Sequence, residues 1–352
     1  MTPEQKIAFG VFSLTKVSLT SGLKVCLAGL LIYALSACKD ENSVVIYTSV
    51  DRHYAEPILQ AFEDQTGISV EALYDVEAAK TTGLVNKLIA EADRPRADVF
   101  WNGEFLQTQL LAQDGVLSRY APTQTGLGWQ ESEQLWTSFG GRARVLIVNT
   151  AVLPNAEWPA TLSDFLSDRW RGDQLAIAHP LFGTSATHAA ALYAAWGRTK
   201  AQDFYRSLLA RGVRIVDGNS VVRDLAVSGE ITFGLTDTDD ACSAISSGAD
   251  VAVLFPDQRE GGLGTLVIPN TVALIAGAPH SENGKRLIDY LLSESVVEAL
   301  AEAGWFHING TEVLVSDTCG LPKNIRPMPT NPATLHQSIE TAKQELRDIF
   351  VQ

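Results

Sequence analysis

From residue 44 to residue 254, short apolar runs of strand length alternate with amphipathic stretches of helix length. That alternation restricts the chain to layered α/β architectures. Val44–Tyr47, Ser69–Tyr74, Ala97–Trp101, Arg144–Val148, Leu175–Ala178, Val213–Val216, Ile231–Leu235 and Val251–Leu254 read as strands. Between them, Glu56–Gln65 puts Ile58, Leu59 and Phe62 on one side and stops at Gly67. Leu84, Val85, Leu88 and Ile89 share another helical face, a further helix ends near Gly115, and Ser185–Trp196 and Val221–Ser228 continue the helical series. The order predicts largely parallel sheets. A chain of 352 residues is long enough for two cores. Neither loop region, 121–128 or 256–264, has the composition of a flexible linker, so the chain is expected to cross between two lobes more than once.

Charge narrows the partners. With 27 Lys+Arg against 41 Asp+Glu the formal charge is −14, which opposes binding to nucleic acid or to an anionic membrane surface. The N-terminus reads as an export address: Lys6, Lys16 and Lys24 precede an apolar run from Val25 to Leu35, then Leu35-Ser36-Ala37-Cys38. The run is too short to span a bilayer, which takes roughly 20 apolar residues. Leu-Ser-Ala-Cys resembles a bacterial lipobox, so residues 1–37 are expected to be a signal peptide and Cys38 the lipidated first residue of the mature chain. Cys242 and Cys319 then remain in a compartment that tolerates disulfides. They read as structural, either bonded to each other or as two buried thiols.

Candidate chemistry sits in loops that follow strands, where open α/β sheets bind ligands. Thr48-Ser49-Val50-Asp51-Arg52-His53 follows the first strand, and Asn102-Gly103-Glu104 follows Ala97–Trp101. Gly183-Thr184-Ser185-Ala186-Thr187-His188 opens a helix and offers hydroxyls and free N–H groups to an anion. It lacks the Gly-Lys-Ser/Thr of a P-loop, and taken alone it reads as helix capping. Gly218-Asn219-Ser220 is a fourth loop. Asp237, Asp239 and Asp240 form the fifth, three carboxylates that repel unless a cation, an ammonium group or a shared proton relieves them. Taken alone, this loop reads as one capping Asp beside solvated acids.

Taken in order, IYTS at 46–49, AFEDQTGISV at 61–70, PRADVFWNGE at 95–104, GRARVLIVNT at 141–150 and HPLFGTSATHAA at 179–190 resemble periplasmic ferric-iron-binding proteins. GNSVVRDLAVSGEITFGLTDTDDA at 218–241 and PDQREGGLGTLVIPNTVALIAGAPH at 256–280 extend the resemblance over essentially the whole mature chain. These proteins are solute-binding receptors of bacterial ABC importers. The resemblance implies a two-lobed (type II) periplasmic binding protein, two α/β domains joined by hinge strands that cross near Arg142–Arg144 and Pro269–Thr271. Lobe 1 would comprise 43–143 plus 270–318, and lobe 2 144–269 plus 319–352. It also implies a lipid-anchored, extracytoplasmic monomer that serves a permease and its ATPase and binds its ligand without transforming it.

The resemblance implies a cargo of Fe(III), or another hard cation held with a synergistic anion. The metal ligands would be Asp239, Asp240, Asp237, Glu104 and Asp51. The anion would lie on Thr48, Ser49, Thr184, Ser185, Ala186 and Asn219. One departure stands out: the positions of a common tyrosine pair fall on Asp239 and Asp240. That opens an alternative cargo, an aminoalkylphosphonate or sugar phosphate whose anion meets Thr184–Ser185 while the aspartates accept hydrogen bonds from an ammonium or hydroxyls. In another class, strand–Asp–x–Asp also resembles the nucleophile loop of haloacid-dehalogenase-like phosphatases, with Asp237 attacking. That motif usually opens its domain, and here it comes late in the chain.

Overall fold

The computed structural model describes residues 42–352 apart from 76–80, 124–132, 310–311, 315–318, 320, 322–323, 331 and 352. The signal peptide and Cys38 lie outside the described residues. In chain order the first half runs β1 (Ser43–Thr48), α1 (Arg52–Thr66), β2 (Ser69–Tyr74), α2 (Thr82–Ala90), β3 (Val99–Asn102), α3 (Leu106–Gln113), β4 (Leu117–Ser118) and the long β5 (Thr137–Asn149). After short 3-10 turns come β6 (Leu175–Ala178), α4 (Gly183–Trp196), α5 (Arg198–Ala210), β7 (Arg214–Val216), α6 (Asn219–Ser228), β8 (Phe233–Asp237), α7 (Thr238–Ser246) and β9 (Val251–Leu254). The chain ends with β10 (Val267–Ile275), α8 (Ser281–Leu291), α9 (Glu294–Glu302), the β11–β12 ribbon (His307–Asn309, Glu312–Leu314) and α10 (Pro332–Phe350).

Strand order is β2-β1-β3-β10-β5-β8-β6-β7, with β4 on β10 and β9 on β5. The outer pairs β1–β2, β1–β3, β6–β7 and β6–β8 are parallel. The centre is not: β10 runs antiparallel to β3 and β5, and β5 antiparallel to β8 and β9. The expectation of largely parallel sheets therefore holds only for the flanks. Helical crossovers build the flanks, whereas β5 and β10 carry the chain between the two halves and run against their neighbours.

β5 belongs to both halves. Its first part, through Ala143, pairs with β10, and from Arg144 onward it pairs with β8. All thirteen of its residues are buried. The apolar pattern marks only 144–148; Thr137–Arg142 is polar and Gly-rich, and its extended form comes from pairing with β10 rather than from propensity. β10 carries a register shift between Pro269 and Asn270, beside the point where β5 changes partner.

Three apolar clusters surround the crossing. Val44, Ile46, Phe62, Trp101, Leu287 and Trp305 pack together in the first half, and Val145, Ile147, Val222 and Cys242 pack with Phe306 in another. The third runs past the crossing, joining Tyr47, Leu84 and Phe100 to Leu146, Phe165, Leu208 and Phe233 and to Leu335, Ile339 and Leu346 of α10. α10 lies on α4 and α5 and reaches α3. Of the two thiol arrangements left open by sequence, the structure has the disulfide: Cys242 of α7 is bonded to Cys319.

Candidate functional site

The carboxyl ends of β3, β6 and β8 converge on a cleft with about 460 Å³ of empty space, part of it open to solvent. Ser49, Glu104, Arg142, Thr184, Asn219 and Asp240 are among its lining residues. Two helices begin at its wall, α4 at Gly183 and α6 at Asn219, so the positive ends of two helix dipoles point into one space.

Asp237, Asp239 and Asp240 are all buried, and each offers an oxygen within 4.8 Å of the others. The cations that relieve them are built into the chain. Arg144 Nη1 donates to Asp237 Oδ1 at 2.6 Å, Arg142 Nη1 to Asp239 Oδ2 at 2.9 Å, and Arg223 Nη1 to Asp240 Oδ1 at 3.3 Å. Three carboxylates thus face three guanidiniums in a formally balanced array. Burial works against the Arg142 charge, but Asp239 and Asp237 outweigh it and hold the guanidinium firmly protonated.

Asp237 occupies the loop that sequence offered to an anion. Besides Arg144, its carboxylate accepts from the Thr184 hydroxyl at 2.6 Å and from Asn219 Nδ2 at 2.9 Å. Arg144 also reaches Ser185 Oγ at 3.3 Å. The assigned cation ligand Asp237 and the assigned anion cradle of Thr184, Ser185 and Asn219 are therefore assembled around each other. The first-turn N–H of Ala186 is bonded to the Phe182 carbonyl at 3.0 Å, inside α4.

The first-half residues divide. Ser49 lines the cleft, donating to Asn102 Oδ1 at 2.6 Å and accepting the Gly103 N–H at 2.9 Å. Thr48 is fully buried beneath it, its hydroxyl accepting the Val50 N–H at 3.1 Å. Glu104 is at the wall, and both of its oxygens already accept bonds: Oε1 from Asn102 Nδ2 and the Gln107 N–H, Oε2 from the Leu106 N–H and the Thr187 hydroxyl. Burial pushes its carboxyl above the ordinary range, partly offset by these donors. Asp51 stands outside the close group of three aspartate oxygens, but its charge still acts on Arg142 and Tyr54 beside them. It precedes α1 and lines an outer groove with His53 and Arg223.

Sequence reading missed the two hinge arginines, along with Arg223 and Tyr54. Arg142 Nη2 also reaches Asn270 Oδ1 at 3.3 Å, and its guanidinium lies 4.9 Å over the Trp305 ring. Gly103 is needed for this approach, because a side-chain carbon there would sit 2.6 Å from Arg142 Nη2. A signal was present: Gly-Gly-Arg-Ala-Arg-Val puts two cations on one face of a strand otherwise bound for the interior, and buried charges require partners. Tyr54 donates its hydroxyl to the Asp239 carbonyl at 3.1 Å; burial, then Asp239 and Asp240, raise its pKa and keep it a neutral phenol.

Behind Arg144, His188 is buried, and burial followed by the Arg144 charge holds its pKa well below the ordinary value. The unfolded chain protonates this ring below about pH 6.5 while the folded ring stays neutral, so folding stability falls as pH drops through that range. The contribution is at most about 1.4 kcal/mol per pH unit for one proton. Urea titrations between pH 7 and 5 should show a slope that flattens in His188→Gln; an unchanged slope would mean that the ring is protonated in the fold.

The model of the bacterial extracellular solute-binding proteins matches residues 96–311. A periplasmic protein of Salmonella typhimurium named for 2-aminoethylphosphonate binding is 26% identical over 303 residues, covering 83% of this chain and 86% of its own. Iron uptake protein A1 of Synechocystis is 25% identical over 280 residues, 75% of this chain and 74% of its own. Iron-bound HitA from Pseudomonas aeruginosa shares the fold with a TM-score of 0.75 at 21% identity, over 88% of this chain and 99% of that one. The architecture is accordingly that of a two-lobed periplasmic binding protein.

Proposed function

Because the chain belongs to the bacterial extracellular solute-binding proteins, we propose that its cleft delivers to an ABC permease a small solute joining a phosphonate or phosphate to an ammonium or hydroxyl group. The observation that carries this reading is the balanced array of Asp237, Asp239 and Asp240 with Arg142, Arg144 and Arg223. With the charges of the aspartate triad neutralised, that wall of the cleft favours a ligand that brings both signs or spreads its charge. The N-termini of α4 and α6 and Arg142 suit the anionic end. Asp240, at the cleft wall, suits an ammonium or a hydroxyl. The likeness to the 2-aminoethylphosphonate protein supports the same chemistry.

The second reading is Fe(III), or another hard cation with an anion. It is favoured by the close approach of the three aspartate oxygens and by the likeness to iron uptake protein A1. In that reading Arg142 swings aside and the metal takes its place, with carboxylate rather than phenolate donors. The finer assignments follow the same proposal: lobes of 43–143 plus 270–318 and 144–269 plus 319–352, a lipid anchor at Cys38, a monomer, and binding without catalysis. Asp237 suits a structural role better than a phosphatase nucleophile, since both of its oxygens accept strong bonds.

A thermal-shift panel on residues 39–352, stripped of ligand, tests the cargo. A ligand at 100 times its Kd stabilises the fold by about 2.7 kcal/mol. The expected result is a shift with 2-aminoethylphosphonate or a sugar phosphate in the presence of chelator, reduced in Asp240→Ala. A shift with ferric citrate alone would overturn the organic-anion reading in favour of iron.

A further inference from the structure

Glu104 has four incoming hydrogen bonds, and they differ in reach. The Leu106 and Gln107 N–H groups, at 2.8 and 2.9 Å, and Asn102 Nδ2, at 3.2 Å, belong to the same half of the molecule, and by accepting from the two N–H groups Glu104 caps the start of α3. The fourth, from Thr187 Oγ1 at 2.8 Å, comes from α4 in the other half, 83 residues away. Glu104 is 1% exposed and Thr187 fully buried. The same carboxylate is tied through Asn102 to Ser49 and Thr81, both at the cleft wall. Thr108, also bonded to Asn102, joins β10 through Thr271 at 2.7 Å.

We infer that the Glu104–Thr187 bond is a latch between the halves, which holds the cleft closed and lets the chain sample the closed form before any solute arrives. Opening leaves the three bonds within the first half intact and returns one carboxylate lone pair to water. Closing strips that water away, and the Thr187 hydroxyl is the group that replaces it. A charge-assisted bond in a dry setting is stronger than a neutral one, and a buried carboxylate deprived of a donor is penalised. Loss of the hydroxyl therefore raises the free energy of the closed form and leaves the open form unchanged. The latch rests on the reading of the chain as a two-lobed solute-binding protein, but not on which solute it takes.

The test is a distance distribution in the ligand-free chain, measured by electron–electron resonance between spin-labelled unnatural amino acids at Gln60 on α1 and Val227 on α6, both exposed. The wild type is expected to show a closed population. Thr187→Val, nearly isosteric, should cut the closed-to-open ratio about tenfold or more. Thr187→Ser, which keeps the hydroxyl, should restore it. Thr187→Ala serves if the valine variant does not fold, with the same expected loss. The latch is overturned if the ligand-free wild type has no closed population, if loss of the hydroxyl leaves the ratio unchanged, or if serine and valine shift it alike. Because no solute is added, failure here is distinct from failure of the ligand panel.

Discussion

Arg144→Ala should lower the unfolding free energy by about 3–5 kcal/mol, the usual consequence of leaving one member of a buried ion pair uncompensated. The expectation follows from how completely Arg144 and Asp237 are enclosed. Each is 1% exposed, and they meet at 2.6 Å. In the variant Asp237 keeps Thr184 and Asn219 as donors, but its nearest remaining cation is Arg142 at 3.9 Å. Domains are stable by only about 5–15 kcal/mol, so much of the margin would go. The double variant Arg144→Met/Asp237→Asn removes both charges and should be more stable than Arg144→Ala, a non-additivity expected of contacting groups. Urea titration of the set decides it. A loss below about 1 kcal/mol in Arg144→Ala would mean that the pair behaves as a solvent-screened one.

The second large effect concerns the disulfide. Cys242 and Cys319 are 77 residues apart, and closing a loop of that size removes denatured-state entropy worth about 4.5 kcal/mol in the chain-entropy model. Cys242→Ser/Cys319→Ser should therefore lower stability by about 2–5 kcal/mol, read as a shift of the urea midpoint. Binding should weaken too, because Cys242 lies on α7, whose first turn carries Asp239 and Asp240. If stability falls while solute affinity stays the same, the first turn of α7 is held by its own bonds, those of Arg142, Arg223 and Tyr54 among them, and the disulfide serves the fold only.

The sequence was most readable where burial imposes a period. Leu175–Ala178, Val251–Leu254 and Ser69–Tyr74 have the bounds expected from pattern, and α4 and α6 begin two residues earlier than read. Thr137–Arg142 was opaque because its strand conformation is imposed by β10. The loops of the cleft were legible as loops, and Ser49, Thr184, Asn219 and the aspartates do come together. Their partners were not legible. A carboxylate cluster specifies that a positive charge must be near, and it does not say whether the charge arrives as cargo or is already carried by the chain. Arg142 and Arg144 answer that from the hinge, and Asp51 lines the outer groove because α1 starts at Arg52, immediately after it, rather than at Glu56.

The place of β10 in the strand order bears on how the protein is made. β10 lies between β3 and β5, so the first sheet has no centre until the ribosome has passed residue 275. The bond between Thr108 and Thr271 spans 163 residues. Pairing at such separation is slow, and before it forms β3 and β5 have open edges with nothing to pair to. For a protein that works outside the cytoplasm, this delay has a use. The leading three-quarters of the chain cannot complete that sheet while the rest is being synthesised, and a late central strand of this kind favours a chain that stays threadable until synthesis is nearly done.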